Sequence, residues 1–328
     1  MELSRMSRRR ALSLIGGSAV AAALPGGVVR AQGAPLNLGY QTSTWGAVGM
    51  VAEAEKLFEK TRAKVVFHKF DSGRTIRDAM VAGRIDLGSI GAAPFVVGAA
   101  KGNMAALGTV AYAGGTLAIV ASKKSGIKTV ADLKGKKIAS QLGSETDHVF
   151  QNKIAPAFGL KKGDFEVVNV KFHDHVSALA GGSVDAFAGV EPYPAIADVE
   201  GLGVVVTDYS KYDIVPLLLA VQRPVLEKRS DELVPFLKGW LAAVKMFKDD
   251  RKRVTGIVWN FYKSQGWKVP EEVISKALAR MDVTPTYVPE LKNYLTNMAQ
   301  TLVNKGQIAS VPDWNKVLDQ QILKRASA

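Results

Sequence analysis

The chain contains no cysteine. That excludes a disulfide framework, thiol catalysis and a membrane anchor carried on a lipidated cysteine. Histidine is scarce, with four in 328 residues, and only His173 and His175 lie close together. Two imidazoles at i and i+2 around Asp174 form a poor metal set without further ligands, so a solvated loop is the simpler reading. Long apolar runs are also missing: nothing after residue 31 approaches the roughly 18 continuous apolar residues that cross a bilayer. There is no Gly-x-Ser-x-Gly elbow, Walker loop or dinucleotide fingerprint, and Gly201-Leu202-Gly203 lacks the remainder of the last. No catalytic residue, metal or cofactor is expected.

What is present is the composition of a folded protein, 47% hydrophobic and 22% charged. The length predicts two domains. Residues 1–31 read as a twin-arginine signal peptide, with Ser7-Arg8-Arg9-Arg10, an apolar stretch from Ala11 to Leu24, and a small-x-small site at Val29-Arg30-Ala31. Export to the periplasm follows from that reading. The formal charge of +13 falls to +9 without residues 1–31, whose five arginines face a single Glu2. The remaining cations are spread along the chain without interleaved aromatics, which argues against nucleic acid.

The strongest internal signal is a pattern that recurs about a hundred residues on. Gly83-Arg84-Ile85-Asp86 leads through an apolar strand to Gly91-Ala92-Ala93-Pro94; Gly182-Ser183-Val184-Asp185 leads likewise to Val190-Glu191-Pro192. Upstream, Lys64–Asp71 echoes Glu166–Asp174, and the Ser43 loop echoes the Ser144 loop. Each copy predicts β-α-β-α-β: strands 35–40, 65–70 and 85–90 with helices 47–60 and 75–82, then strands 137–140, 167–172 and 186–190 with helices 144–158 and 176–180. Strands 105–112 and 116–121 flank a crossing at Ala113-Gly114-Gly115. Strand 204–207 and a return through Val215–Val221 follow, and helices are expected over 231–248, 252–262, 270–280, 289–305 and 313–325.

Open α/β sheets bind ligands at the carboxyl ends of their parallel strands, so two repeats facing each other would enclose a solute. Gln41, Thr42, Ser43 and Thr44 end the first strand where free N–H groups favour an anion; Ser144 and Thr146 occupy the equivalent place. A plain helix cap explains either loop taken alone. Ala92 and Ala93 form a third loop whose small residues permit close approach of a solute, or simply a tight turn. Glu191 and Tyr193 place a carboxylate beside a ring, a pairing suited to an ammonium group or to a surface ion pair. Trp45, Tyr112 and Tyr193 are candidate walls or core filler. Asp86 and Asp185, at strand starts, read as structural.

With these residues in view, the chain resembles the periplasmic solute-binding proteins of ABC importers, of the taurine, aliphatic sulfonate and nitrate type, and most of all the taurine binders. Tyr40-Gln41-Thr42-Ser43 and Lys69-Phe70-Asp71-Ser72-Gly73 carry the likeness, which extends through Gly306–Pro312. It implies an α/β, two-lobed type II periplasmic-binding-protein fold, each lobe a mainly parallel sheet flanked by helices: lobe one over 35–114 plus 217–328 with a C-terminal helical extension, lobe two over 115–216. It also implies a monomer that delivers a small solute to a permease and ATPase pair, with no nucleic-acid partner.

The resemblance implies ligand contacts from Gln41, Thr42, Ser43, Trp45, Asp71, Ala92, Ala93, Gly115, Ser144, Thr146, His148, Glu191 and Tyr193. Glu191 or Asp71 would face an amine, and the crossings near Gly114-Gly115 and Val215-Pro216 would bend on closure. Ala92-Ala93-Pro94 stands where relatives have Ser-Ser-Pro, and Thr146-Asp147-His148 where they have Thr-Thr-His. Alternatives are the same fold with nitrate, a pyrimidine vitamin precursor or an aromatic acid as cargo, and an exported metal-dependent hydrolase using His173, Asp174 and His175.

Overall fold

The structure, a computed structural model, describes residues 33–328; the expected signal peptide lies outside them. Ten strands build two sheets. β1 (Leu36–Gln41), β2 (Val65–Phe70), β3 (Leu87–Gly91), β4 (Met104–Tyr112) and β10 (Pro216–Gln222) form one; β5 (Leu117–Ser122), β6 (Lys137–Ser140), β7 (Glu166–Asn169), β8 (Ala186–Val190) and β9 (Gly203–Asp208) form the other. Their orders are β2-β1-β3-β10-β4 and β7-β6-β8-β5-β9. The fold is therefore α/β with one plan used twice. In each sheet three parallel strands come from the local repeat, and an antiparallel strand is sent by the chain as it crosses over, β10 into the first sheet and β5 into the second.

The repeated aspartates explain the shared register. Asp86 accepts from Asn37 N at 2.7 Å and from Asn37 Nδ2 at 3.0 Å, while Asp185 accepts from Lys137 N at 2.8 Å. Each pins the start of a third strand to the start of a first strand, at the sheet edge away from the strand-end loops. The structural role expected of both residues is what the geometry gives.

Several elements differ from expectation for identifiable reasons. The run expected as one helix over 47–60 breaks where Lys56 adopts a left-handed φ of 51°, leaving helices Ala47–Ala54 and Leu57–Lys60. Helix 144–158 becomes Glu145–Val149, a wider π turn over Phe150–Ile154, and Ala155–Ala157. The stretch 313–325 splits into Trp314–Val317 and Gln321–Ser327. Ala92–Ala100 and Tyr193–Val199 are helices at equivalent repeat positions, each with proline in its first turn, where the missing N–H costs nothing. The expected third loop at Gly91–Pro94 is thus the end of β3 running directly into a helix.

The C-terminal helices cover the first sheet. Helix Ser230–Asp249 packs on Leu57–Lys60 and Ala47–Ala54, with Phe236 stacked on Phe58 at 4.8 Å between ring centroids. Helix Leu291–Asn304 packs on Ala92–Ala100. The same block also reaches the second repeat, where Trp267 meets Tyr193 edge to face at 5.5 Å and Arg280 pairs with Glu191 at 3.0 Å.

Candidate functional site

The strand-end loops of the two repeats face each other across a closed seam. β1 ends at Gln41, whose Nε2 donates to Ser89 O at 3.2 Å. Thr42 is fixed through its backbone, its N–H bound to Phe70 O and its carbonyl accepting from Tyr262 Oη at 3.0 Å. The chain then turns so tightly that a Cβ at Gly46 would lie 1.8 Å from Gln41 O. Ser43 sits at the cap position of this turn, yet its hydroxyl makes no cap bond; it is buried and has no partner. An unpaired buried hydroxyl costs about 1–3 kcal/mol, which marks Ser43 Oγ as a donor reserved for something else.

The second repeat divides these roles among neighbours. Ser144 is a plain N-cap, its Oγ accepting from Asp147 N at 3.1 Å. Thr146 is fully buried, and its Oγ1, like Ser140 Oγ on β6, has no partner. Asp147 accepts from Gly143 N at 3.0 Å and from Gln151 Nε2 at 2.7 Å. His148 lies against Asn152, and burial lowers its pKa to about 4, so the ring is neutral.

Contacts made by the first repeat help to close the seam. Thr44 donates both N–H (3.1 Å) and Oγ1–H (3.0 Å) to Glu191 O. Trp45 Nε1 donates to Thr116 Oγ1 at 2.7 Å, at the crossing. Arg74 Nη1 donates to Leu142 O at 2.7 Å, and Asp71 pairs with Lys171 at 3.1 Å, near His173. Ala93 N, in the first turn of helix Ala92–Ala100, donates to Glu145 Oε2. Gly91 makes room for that last contact, because a Cβ there would lie 2.6 Å from Glu145 Cβ.

Glu145 is fully buried, and burial followed by the nearby Asp213 charge pushes its pKa up to about 8. Tyr294 Oη lies 2.7 Å from Asp213 Oδ1 and 3.2 Å from Glu145 Oε1. One phenol proton cannot serve both carboxyls. Lys153 Nζ lies 2.5 Å from Asp213 Oδ2, so Tyr294 gives its proton to Asp213 along the shorter bond, and its oxygen is left facing Glu145 Oε1. Glu191 is likewise buried and its pKa is raised to about 7, with Arg280 on one oxygen and Ala195 N on the other.

The residues named from sequence are therefore used unequally. Ser43 and Thr146 present free hydroxyls; Gln41 and Thr42 are held by Ser89, Phe70 and Tyr262, and Ser144 caps its own helix. The two carboxylates assigned to an amine are already engaged, Glu191 by Arg280 and Asp71 by Lys171. Ala92 and Ala93 are the start of a buried helix, and Gly115 lies under Arg280, whose Cβ is 3.3 Å from the glycine's missing Cβ. Trp45 and Tyr193 are buried at the seam, whereas Tyr112 binds Val288 N and faces the C-terminal segment. His175 turns into the core between Phe172 and Phe187, away from His173, so the His-Asp-His set does not converge. Among the described residues no group of three or more His, Asp and Glu is placed to hold a metal.

Sequence reasoning missed the partners supplied by the unrepeated C-terminal block, namely Tyr262, Arg280 and Tyr294, because no motif marks them. Their only signal was position in helices expected to pack nearby. It also missed a cavity of about 720 Å³ beside the seam, where Arg74, Arg77, Lys162 and Lys305 surround Ala93, Ser144 and His148. Among the described residues Asp147 is the one carboxylate lining that cavity; Asp78, which pairs with Arg74 and Arg77, offsets part of the positive charge, and the balance still favours anions. Among the described residues no helix is long and apolar enough to cross a membrane.

The NMT1-like family profile matches residues 30–257. The chain is 33% identical over 220 residues to a protein of Escherichia coli (strain K12) named as an aliphatic sulfonates-binding protein; the match covers 65% of this chain and 66% of that protein, just under two thirds of its length. It is 29% identical over 289 residues to the taurine-binding periplasmic protein of the same organism, covering 85% of this chain and 84% of that one. Among solved structures it resembles the alkanesulfonate-binding protein from Xanthomonas axonopodis pv. citri bound to MOPS, with a TM-score of 0.77, 22% identity, and coverage of 89% of this chain and 100% of that one. That last likeness establishes the two-lobed binding-protein fold.

Proposed function

The chain belongs to the NMT1-like family, and on that premise we propose that it is the solute-binding component of an ABC importer, capturing a small sulfonate-like or zwitterionic solute such as taurine between its two lobes. The observation that carries this reading is that each of two repeat-equivalent strand-end loops holds a buried hydroxyl with no protein partner, Ser43 Oγ and Thr146 Oγ1. An oxyanion held between them would complete both. Trp45 and Tyr193 supply the flanking apolar surface, and the cations around the neighbouring cavity draw an anionic solute towards the seam. No catalytic step is assigned.

Lobes one (35–114 and 217–328) and two (115–216) would open about the two crossings. Val215 supports that assignment: it is buried between β9 and β10 with a left-handed φ of 46°, a strained conformation for a β-branched residue and of a kind that often marks moving segments. The protein would be exported through its twin-arginine leader, act as a periplasmic monomer, and hand the solute to a membrane permease and its ATPase. The names of the sulfonate- and taurine-binding relatives support this setting.

Calorimetric titration of residues 32–328 with taurine, alkanesulfonates and nitrate tests the reading. One-to-one binding of a sulfonate is expected; no heat with any of them would overturn it.

A further inference from the structure

The carboxylates along the seam are not equivalent. Glu191 is paired with Arg280, Asp71 with Lys171, Asp213 with Lys153, and Asp147 is bound by Gly143 N and Gln151. Glu145 and Asp147 are contacted only by neutral groups, and of the two Glu145 alone is held from across the seam, by Ala93 N and Tyr294 Oη. It also belongs to the second repeat while Ala93 belongs to the first. Opening the seam therefore separates the two, leaving a carboxyl on one side and a helix N-terminal N–H on the other, with Thr146 Oγ1 next in sequence to the carboxyl.

We propose that Glu145 is the specificity-determining residue of the cleft, selecting a zwitterion over a bare anion by pairing its carboxylate with the solute's ammonium group. This rests on the solute-binding reading above. A bare anion entering the open seam could compete for Ala93 N but would meet a carboxyl already adapted to that place. A zwitterion offers a cation to Glu145 and leaves its own oxyanion for Ser43 and Thr146. The charged groups facing Glu145 are Asp213, which opposes its ionisation, and Lys153, which favours it.

Proton balance gives a second signature. In the closed, solute-free form burial and the nearby Asp213 favour the protonated form of Glu145. An ammonium beside it favours the ionised form, so the Glu145 O–H bond breaks on binding, the proton passes to the buffer, and a carboxylate–ammonium pair replaces it.

Taurine and ethanesulfonate differ only by the amine and make the direct probe. The native protein is expected to prefer taurine by about tenfold or more, equivalent to about 1.4 kcal/mol. Glu145→Gln, which keeps an oxygen for Ala93 N and an N–H for Tyr294, is expected to bring the two affinities within about twofold. At pH 7 the heat of taurine binding to the native protein should vary with the ionisation enthalpy of the buffer, reporting proton release, and that of Glu145→Gln should not. An undiminished taurine preference in Glu145→Gln overturns the proposal while leaving the solute-binding reading intact. If Glu145→Gln does not fold, buffer-independent heat in the native protein overturns it equally. Failure of the native protein to bind either probe overturns both readings.

Discussion

Thr44 and Glu191 join the two lobes twice, since the Thr44 N–H and Oγ1–H both donate to the Glu191 carbonyl oxygen, at 3.1 and 3.0 Å. Both Thr44 donors, expected from sequence to face an anion, are thereby engaged by the protein itself. The pair holds the seam closed independently of what lies inside it.

Thr44→Val removes one of these bonds and keeps the side-chain volume. The closed form is expected to lose about 0.5–1.5 kcal/mol relative to the open one. Small-angle scattering of the solute-free protein should show a larger radius of gyration than the native chain, and solute should bind several-fold more weakly. An unchanged radius and affinity would mean that this contact does not hold the lobes.

Ser43→Ala and Thr146→Val test the free hydroxyls. Removing a buried group that has no partner relieves desolvation, so the melting temperature should hold or rise in the absence of solute. Taurine affinity should fall about 10- to 150-fold for each, since each deletes one hydrogen bond to a charged group, worth about 1.5–3 kcal/mol. Loss of stability with unchanged affinity would contradict the assignment.

Asp86→Ala and Asp185→Ala should behave in the opposite way. Asp86→Ala strands the buried Asn37 N–H and is expected to cost about 1–3 kcal/mol of stability, whereas Asp185→Ala frees the Lys137 N–H where water can reach it and is expected to cost less, about 0.5–1.5 kcal/mol. Denaturant unfolding reads that loss. Solute affinity in the remaining folded protein should be unchanged, because both residues sit at the sheet edge away from the cleft.

Stability should also depend on pH in a defined way. Burial raises Glu145 to about 8 and Glu191 to about 7 from an ordinary 4.5, so the folded protein holds more protons than the unfolded chain across that window and loses stability as pH rises through it. Burial lowers His148 and His175 to about 4 from 6.5, so between those values the unfolded chain holds more protons and stability rises with pH. The two trends oppose each other from pH 4.5 to 6.5; above that the carboxyls act alone. Melting temperatures should be level over the lower range and fall from about pH 6.5 to 8, less steeply in Glu145→Gln. A rise from pH 6.5 to 8 would contradict these assignments.

Much of the frame was legible in the sequence. β2, β6 and β8 begin and end at the expected residues because short apolar strands lie between clear turn signals. The repeated Gly-x-aliphatic-Asp element located both strand-end edges, and through them Ser43 and Thr146. Helices Ala92–Ala100 and Tyr193–Val199 escaped notice because the first is apolar on every side, which hides the 3.6-residue period, and both carry proline near their starts. The fates of Glu191 and Glu145 could not be read locally. Their partners Arg280 and Tyr294 lie 89 and 149 residues away, in a C-terminal block that repeats nothing else in the chain.

The central claim is that one solute is held between Ser43 and Thr146 when the lobes close. A crystal structure of the protein grown with taurine tests it most directly. The account predicts a single molecule at the seam with sulfonate oxygens within hydrogen-bond distance of Ser43 Oγ and Thr146 Oγ1. A molecule bound only in the basic cavity lined by Arg74, Arg77, Lys162 and Lys305, with both hydroxyls still unpartnered, would contradict it.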